Sequence, residues 1–373
     1  MNNIRITIVT TRKERKKFIH FPWIVYKNDP QWIPPLIMDF KEKIDRKKNP
    51  FFEHADMELF LAYKDGEISG RIAAILDDNH NNFHDEKVVF FGLYESFDDV
   101  ETAEALLKKV EEWGKSRGME ILRGPMNLSM NDECAFLLEG FDSPPAVMMP
   151  YNPRYYLDLM ANCGLVKAKD LYAYYMSRDD HVVAQVAQIV KKAKAEIPLT
   201  LRTIDLKNLR EEAERIKYVY NNAWEKNWGF VPWTDNEMDH MAKKLKTVAD
   251  PDLVIIAEHL GKPIAFAFGF PNWNEVIKRI NGRLTPWGLL KLFYYRKKIK
   301  GIRAMVFGIL KEYRHTGVSY LLYSELDKNA MGKGYEWCET SWQLEENVPV
   351  NRFVESLGGK IYKKYRIFEK RIS

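Results

Sequence analysis

The 373-residue sequence is poor in cysteine, in net charge and in long apolar runs. Its three cysteines, Cys134, Cys163 and Cys338, are scattered and form no CxxC pair. That excludes a disulfide framework and a thiolate zinc cage, and it fits a reducing compartment. Lys and Arg total 57 against 52 Asp and Glu, a formal charge of only +5. A chain so balanced is not built to coat nucleic acid, and no nucleic-acid partner is expected. No stretch approaches the roughly 18 uninterrupted apolar residues of a membrane span. Residues Met1–Lys17 lack the apolar core and small-residue cleavage site of a secretory signal, so a cytoplasmic location is expected. No G-x-S-x-G, H-E-x-x-H or Walker A pattern occurs, so the signatures of serine hydrolase, zincin and P-loop chemistry are missing.

What the chain has in quantity is apolar substance: 46% of residues are hydrophobic and 13% aromatic. That fills large cores and argues against disorder. The length allows two domains or one large one, and the pattern favours two, because it is written twice. Leu59-Phe-Leu-Ala62 with Gly66 behind it matches Val254-Ile-Ile-Ala257 with Gly261. In each place an apolar run enters a glycine turn and a second run follows, Ile72–Leu76 and Ile264–Phe270, which reads as a β-hairpin. At a larger offset, Phe91-Gly92-Leu93 matches Phe307-Gly308-Ile309, and Gly118 matches Gly334. Between them Ala105, Leu106 and Val110 fall on Leu321, Leu322 and Leu326, one helical face in both copies. At the first offset again, Asn152 and Gly164 match Asn347 and Gly359. The entry segments Trp32–Pro35 and Phe230–Trp233 are also alike. The expected fold class is therefore α/β (α+β): two fused mixed-sheet units in pseudo-repeat, 1–180 and 181–373. Each runs helix, hairpin, strand, helix, strand, helix, strand. The second copy carries an insert near 276–300, and the first a similar one near 130–150.

The copies differ where chemistry is expected. In the second, the strand-like run Ile302–Leu310 passes into Lys311-Glu-Tyr-Arg-His-Thr-Gly-Val-Ser319, and a helix is predicted from about Val318 to Ala330. A strand feeding a basic, glycine-containing turn and a helix start is an anion site. First-turn N–H groups lack intrahelical acceptors, and the helix dipole adds partial positive charge. Gly317 lets a ligand approach the backbone, and Arg314 and His315 add charge and donors. The matching stretch of the first copy, Glu95-Ser-Phe-Asp-Asp-Val-Glu-Thr102, is acidic and has no glycine. Asp98 or Asp99 is expected to cap that helix and take the amides a phosphate would need. The second copy should hold an anionic cofactor and the first should not.

Arg314-His-Thr-Gly-Val-Ser319 resembles the pyrophosphate-binding turn, R/Q-x-x-G-x-G/A, of the GNAT acyltransferase superfamily, with Ser319 at the final small position. The order hairpin, strand, turn, helix, strand, and then Asn347 ahead of Leu357-Gly358-Gly359, is similar too. The resemblance spans about 253–368 and, more weakly, 59–175. It implies acetyl-CoA or a longer acyl-CoA as co-substrate. The bent strand carrying Phe307, Gly308, Ile309 and Leu310 would then pair with the pantetheine arm. Arg314, His315, Thr316, Gly317, Val318 and Ser319 would surround the pyrophosphate. The whole chain resembles a narrower group, the tandem-GNAT proteins related to bacterial ceramide synthase. The residues that carry this are Asn28-Asp-Pro-Gln-Trp-Ile-Pro-Pro35, Asn221-Asn-Ala-Trp-Glu-Lys-Asn-Trp-Gly-Phe-Val-Pro232, Glu339-Thr-Ser-Trp342 and Glu346-Asn347. That likeness implies N-acylation of a long-chain, sphingoid-like amine. In one respect the chain departs from the superfamily, which often places a tyrosine, as acid for the leaving thiolate, four residues before the glycine of Leu-Gly-Phe. Here that position is Val354. Tyr362 and Tyr365 are the possible replacements, and each also reads as a strand-packing aromatic.

Amide formation from a thioester needs a neutral amine, a polarised carbonyl and a protonated leaving thiolate. The strand Tyr335–Trp342 is expected beside Val306–Leu310, with Glu339 and Ser341 on one face and Cys338, Thr340 and Trp342 on the other. Glu339 is the candidate base, because a carboxylate at a strand split is partly desolvated; it also reads as the partner of a neighbouring Arg or Lys. Asn347 either orients pantetheine or the acyl carbonyl, or caps the helix entered at Val348-Pro349. By resemblance, Trp224, Trp228, Phe230 and Trp233 line the acceptor site and Glu225 meets the amine; plain hydrophobic packing is the other reading.

The insert Arg283–Lys300 opens with a helix-start pair, Thr285-Pro286. Its first half is apolar and aromatic and its second half basic, with seven Lys or Arg between Arg283 and Arg303 and no acid. It fits a helix peripheral to the inner face of a membrane through 284–300, a lid over an acceptor tunnel, or a core-packed helix with a solvated basic end. His80-Asn-Asn-Phe-His-Asp85 has the H-x4-D spacing of glycerolipid acyltransferases and a loose set of metal-ligand types. Its place after a hairpin makes it a polar loop, and no metal is expected. The readings converge on an acyl-CoA-dependent N-acyltransferase. A Fem-like aminoacyl-tRNA-dependent transferase is one rival, although the long basic helical hairpin it would need is not evident. A non-catalytic acyl-CoA-binding protein is the other.

Overall fold

The computed structural model describes residues 4–177, 183–196, 198–223 and 227–372. Its strands are β1 (Ile4–Ile8), β2 (Ala55–Lys64), β3 (Glu67–Asp77), β4 (Val88–Ser96), β5 (Ile121–Gly124), β6 (Phe136–Glu139), β7 (Val166–Ser177), β8 (Leu199–Thr203), β9 (Val254–His259), β10 (Lys262–Pro271), β11 (Gly301–Ile309), β12 (Trp337–Leu344) and β13 (Lys360–Arg371). Its helices are α1 (Arg12–His20), α2 (Pro22–Val25), α3 (Ile37–Lys43), α4 (Asp78–His84), α5 (Val100–Lys115), α6 (Tyr155–Asn162), α7 (Val183–Glu196), α8 (Leu209–Ala223), α9 (Asp235–Val248), α10 (Asn274–Ile280), α11 (Pro286–Tyr295), α12 (Val318–Gly332) and α13 (Val348–Ser356).

The chain divides into two compact units of mixed α/β structure. Unit 1 holds Met1–Leu171, Val276–Leu292 and Lys363–Ser373; unit 2 holds Tyr172–Glu275 and Phe293–Tyr362. The units are therefore not consecutive halves cut near residue 180. β7 begins in unit 1 and ends in unit 2, and β13 does the reverse. A strand joins whichever sheet edge satisfies its backbone groups, whatever its distance along the chain. Thus β13 runs antiparallel to β5 within unit 1, with Phe368 opposite Gly124 and Arg371 opposite Ile121. The insert of the second repeat packs with the first unit for a similarly local reason. Gly282, at φ +67°, lies so close to the Pro35 carbonyl that a Cβ would stand 2.3 Å from its oxygen. Ile37 donates to the Gly282 carbonyl at 3.0 Å, and Trp23 Nε1 donates to Asn281 Oδ1 at 3.1 Å.

In unit 1 the strands run β1-β2-β3-β4-β5-β13, with β6 also on β13. β4 and β5 are parallel and the others antiparallel. α5 buries Thr102, Ala103, Leu106, Leu107, Val110, Trp113 and Gly114, a helical stripe that joins Phe60, Ile72, Val89 and Leu122 in one core. In unit 2 the order is β7-β12-β11-β10-β9-β8, and β11 and β12 are the parallel pair. α12 places Val318, Leu322 and Leu326 on one face of this sheet, with Ile255, Ala265, Ile302 and Ala304. α8 places Val219, Ile216 and Tyr220 on the other, with Ile256, Phe266, Val306 and Leu310.

The repeat holds at the level of elements but not at every matched residue. Val88 faces Ile121 where Gly301 faces Trp337, so the Phe91/Phe307 sequence match is not the match in strand register. The difference is taken up in the next connection. In unit 1 only Phe97–Asp99 joins β4 to α5, whereas in unit 2 Leu310–Gly317 joins β11 to α12. The segment around His80 is also not a loop. It is α4, started by Asp77 Oδ1 accepting from the amides of Asn79 and His80. His80 is buried and lies 3.1 Å from Glu86 Oε2. No metal-holding group of His, Cys, Asp and Glu occurs among the described residues. No helix among them is long and apolar enough to cross a membrane.

Candidate functional site

Each unit contains a parallel strand pair, and each of these pairs opens into a fork. In unit 2, β11 and β12 pair from Gly301–Trp337 to Ala304–Thr340 and then part. A bulge at Met305 bends β11 there, because Phe268 faces Val306 while its neighbour Gly269 faces Ala304. Beyond the bend, Val306, Phe307, Gly308 and Ile309 pair with β10 alone. Their other edge is left without a strand. Phe307 and Phe353 of α13 lie 6.4 Å apart, and Phe353 meets Tyr320 of α12 edge-on at 5.0 Å.

β11 leads through a 3-10 turn, Lys311–Tyr313, to Gly317 at the N-cap of α12. Gly317 has φ +77°, a conformation costly for residues with a Cβ. No side chain caps this helix. Among the described residues, the amides of Gly317, Val318 and Ser319 donate to no backbone carbonyl, so they remain available to an anion. One side of the turn is closed by α7, whose Ala193 would lie 2.8 Å from a Cβ at Gly317. His315 is exposed, and Thr316 Oγ1 donates to the Tyr313 carbonyl at 2.7 Å. Arg314 does not reach over the turn as expected. Its guanidinium donates to the carbonyls of Ala223 at 2.5 Å and Ile309 at 3.4 Å. Ala223 ends α8, and the unpaired carbonyls of a helix C-terminus attract a cation.

At the root of the fork the structure gives Glu339 the second of its two readings, the partner of a neighbouring Arg. Glu339 has no exposed surface and is not a free carboxylate. It accepts from the Ser341 and Tyr362 hydroxyls, and Arg303 Nε stands 3.8 Å from its Oε1. Arg303 in turn donates to Ser341 Oγ at 2.8 Å and to the Ser341 carbonyl at 3.1 Å. Two buried charges thus compensate each other through a shared hydroxyl, the arrangement that makes burial of either tolerable. Tyr362 is half-buried and so supplies the more open end of the network, while Tyr365 is fully buried. Cys338 is not a rival nucleophile: burial pushes its thiol up to about 12.

Asn347 is the N-cap residue of α13, but its side chain makes no capping bond. Asn351, one turn on, ties α13 to β12 by donating to the Leu344 carbonyl at 3.0 Å and the Glu345 carbonyl at 3.2 Å. Its Oδ1 and the Oγ1 of Thr340 are buried with no hydrogen-bond partner among the described residues. Such orphans are costly unless a ligand answers them. Sequence reasoning singled out neither atom, nor Arg303. The parallel register that faces Arg303 with Glu339 was the missing signal.

Of the residues expected at the acceptor side, Trp224 and Glu225 lie outside the described residues. Phe230 is buried and packs 5.5 Å from Tyr220, whose ring also meets Trp233 at 6.2 Å. Phe230 is therefore a core contact rather than an open wall, because Tyr220 belongs to the cluster under Val306 and Leu310. Trp228 and Trp233 are half-buried.

Unit 1 fills the same places with its own atoms. β4 and β5 pair only as far as Phe90–Arg123. The chain after β5 then closes the gap: Met126 donates to the Phe91 carbonyl at 2.8 Å, and Asn127 Oδ1 accepts from the Leu93 amide at 2.8 Å. At Gly92 a Cβ would stand 1.8 Å from the Met126 carbonyl oxygen. Asp99 is the N-cap residue of α5, and although its own burial opposes this, bonds with Lys64 and with the side chain and backbone of Thr102 hold its carboxyl below the ordinary range. Asp99 accepts from Lys64 Nζ at 2.8 Å and from Thr102 Oγ1 at 2.5 Å. Deeper in, burial raises the carboxyl of Glu95 above its ordinary range despite Arg71 beside it. Tyr156 donates to Glu95 at 2.7 Å.

No family model matches the sequence. Protein YghO of Escherichia coli K12 is 35% identical over 370 residues, covering 97% of this chain and 94% of its own length. Bacterial ceramide synthase of Caulobacter vibrioides is 34% identical over 378 residues, with 99% and 97% covered. Among solved structures, a tandem GNAT protein from the clavulanic acid biosynthesis pathway aligns with 100% of this chain and 99% of its own. The TM-score is 0.60 at 11% identity, a likeness of fold. The two forks and the full-length relatives together place the chain in the tandem GNAT acyltransferase superfamily, in the group that holds bacterial ceramide synthase.

Proposed function

We propose that this protein is an acyl-CoA-dependent N-acyltransferase that works in unit 2 on a long-chain amine. The observation that carries the reading is the open fork between β11 and β12, which leads to an uncapped helix start at Gly317. A thioester held there supplies an activated acyl carbonyl and a thiolate leaving group. The amides of Gly317–Ser319 receive the diphosphate, and Thr340 and Asn351 answer the amides of the arm. Backbone N–H groups on the unpaired edge of β11 face the acyl carbonyl and polarise it.

Proton traffic runs through hydroxyls, because Glu339 is sealed. Tyr362, whose hydroxyl Glu339 orients, holds a proton at its phenol oxygen. A neutral amine gains the C–N bond as the C–S bond breaks; it sheds one proton and the thiolate takes up one, so the step is balanced. Arg303 and Ser341 hold Glu339 in place. The long-chain amine comes from the name of the ceramide synthase relative, and the half-buried aromatics Trp228 and Trp233 suit an apolar acceptor.

The test is incubation of the full-length protein with acyl-CoAs of different length and a panel of amines. Thiol release and N-acyl products are the readouts. Acylation of a long-chain amine that falls about 100-fold in kcat in Tyr362→Phe supports the reading. Transfer that needs aminoacyl-tRNA, or CoA binding with no product from any amine, would overturn it.

A further inference from the structure

Helix α11 wears its apolar residues on the outside. Gly288 is buried, Leu292 and Tyr295 are half-buried, and Ile299 just beyond is buried, which marks one ridge as the packed side. The opposite ridge carries Trp287 at 77% exposure, Leu290 at 61% and Tyr294 at 61%, with Leu289 at 43% and Phe293 at 56% beside them. Positions 287, 290 and 294 share a helical face. A helix that merely covers a core shows the reverse pattern. The helix is firmly begun: Thr285 Oγ1 accepts from the Gly288 amide at 3.1 Å.

Charge along this stretch of the chain has one sign. The chain has no acid between Glu275 and Glu312. Lys291 sits within the helix, and Arg296, Lys297 and Lys298 follow it, all exposed. Two of these cations lean on rings: Arg296 lies 5.4 Å from the centre of Phe293, and Lys298 lies 4.4 Å from that of Tyr294, with Nζ 3.0 Å from its hydroxyl. Indole and phenol rings favour the boundary between hydrocarbon and water, and Lys and Arg are drawn to anionic headgroups.

We propose that α11 docks on an anionic lipid bilayer, lying in the headgroup layer with the 287–290–294 ridge toward the acyl chains. A second copy of this chain is a poorer occupant, since a two-fold contact would face the same cations against themselves. The inference stands apart from the proposed reaction: it rests on exposure and charge alone, and its test does not read activity.

The experiment is flotation of the full-length protein with vesicles of phosphatidylcholine, and with vesicles in which roughly one-third is phosphatidylglycerol. The protein should float with the anionic vesicles about tenfold more than with the neutral ones, and added salt should weaken this. The triple variant Trp287→Ser, Leu290→Ser, Phe293→Ser should lose about tenfold in vesicle affinity. Lys291→Glu, Arg296→Glu, Lys297→Glu should lose the anionic preference. Both variants should unfold thermally as the parent does, because the changed side chains are exposed. Equal flotation of parent and apolar variant would overturn the proposal. So would a vesicle-free dimer that the apolar variant converts to a monomer, which would make the ridge a self-interface.

Discussion

The two forks begin alike and end in opposite states. In unit 2, β11 leaves β12 after Ala304 and, among the described residues, keeps an unpaired edge and a helix start without a side-chain cap. In unit 1, β4 leaves β5 after Phe90, and Met126 and Asn127 occupy the opening. Asn127 Oδ1 gives the Leu93 amide the acceptor that a ligand carbonyl would otherwise provide. One architecture therefore occurs twice in this chain, once open and once closed. The choice lies in a few residues after β5 and in the length of one connection.

The largest expected effect breaks the open side. Gly317→Val places a side chain at φ +77° and against Ala193. It should lower CoA affinity about 100-fold by calorimetry, while Asp99→Gly at the twin location leaves affinity within about twofold. Ser319→Glu, which keeps the glycine, should cost about tenfold by putting a carboxylate among the free amides. If the changes in the two units act equally, the functional contrast between the forks is wrong.

A middle-sized effect probes the closed side. Asn127→Ala leaves the Leu93 amide without its acceptor and should destabilise unit 1 by about 1–3 kcal/mol in denaturant unfolding. The number of CoA molecules bound per chain should not change, because Met126 still blocks Gly92. A second CoA bound per chain would show that one carboxamide alone holds the first fork shut.

The smallest effect is a pH dependence that separates the units. A hydrogen bond with His80 and the Arg123 guanidinium hold the Glu86 carboxyl down to about 2, from an ordinary value of 4.5. Glu86 therefore stabilises unit 1 fully above 4.5, and that contribution is lost as pH falls from 4.5 toward 2. Hydrogen exchange should show α5 and β4 loosening over that window. Glu86→Gln should flatten the change there and leave α12 and β11 unaltered. An unchanged acid limb in the variant would remove Glu86 from the account.

Much of the fold was legible because it is local. The αL glycine at 317, the apolar stripes of α5 and α12, both hairpins and the Thr285-Pro286 helix start all follow from spacing a few residues wide. The position of the candidate residues in the fold was legible in part: Phe307–Ile309 lie on β11 beyond its bend, and Gly317–Ser319 at the start of α12. What stayed hidden involves partners far apart in the chain. Arg314 turns to a helix end at Ala223, and Glu339 meets Arg303 and Tyr362 from two other strands. Asn127 sits in an irregular segment whose sequence shows no pattern. α4 was missed because its starting signal, the Asp77 side chain, lies at the end of a strand.

By itself the sequence determined that there are two α/β copies, that they are chemically unequal, and that the second has a basic, glycine-containing turn ahead of a helix. Periodicity, capping and backbone freedom are properties of neighbouring residues. Only the tertiary structure decided which segments belong to which unit, that the first fork is plugged, and that the candidate base is sealed within a network of Arg303, Ser341 and Tyr362. Those outcomes depend on strand register and on burial, which exist only once distant segments have packed.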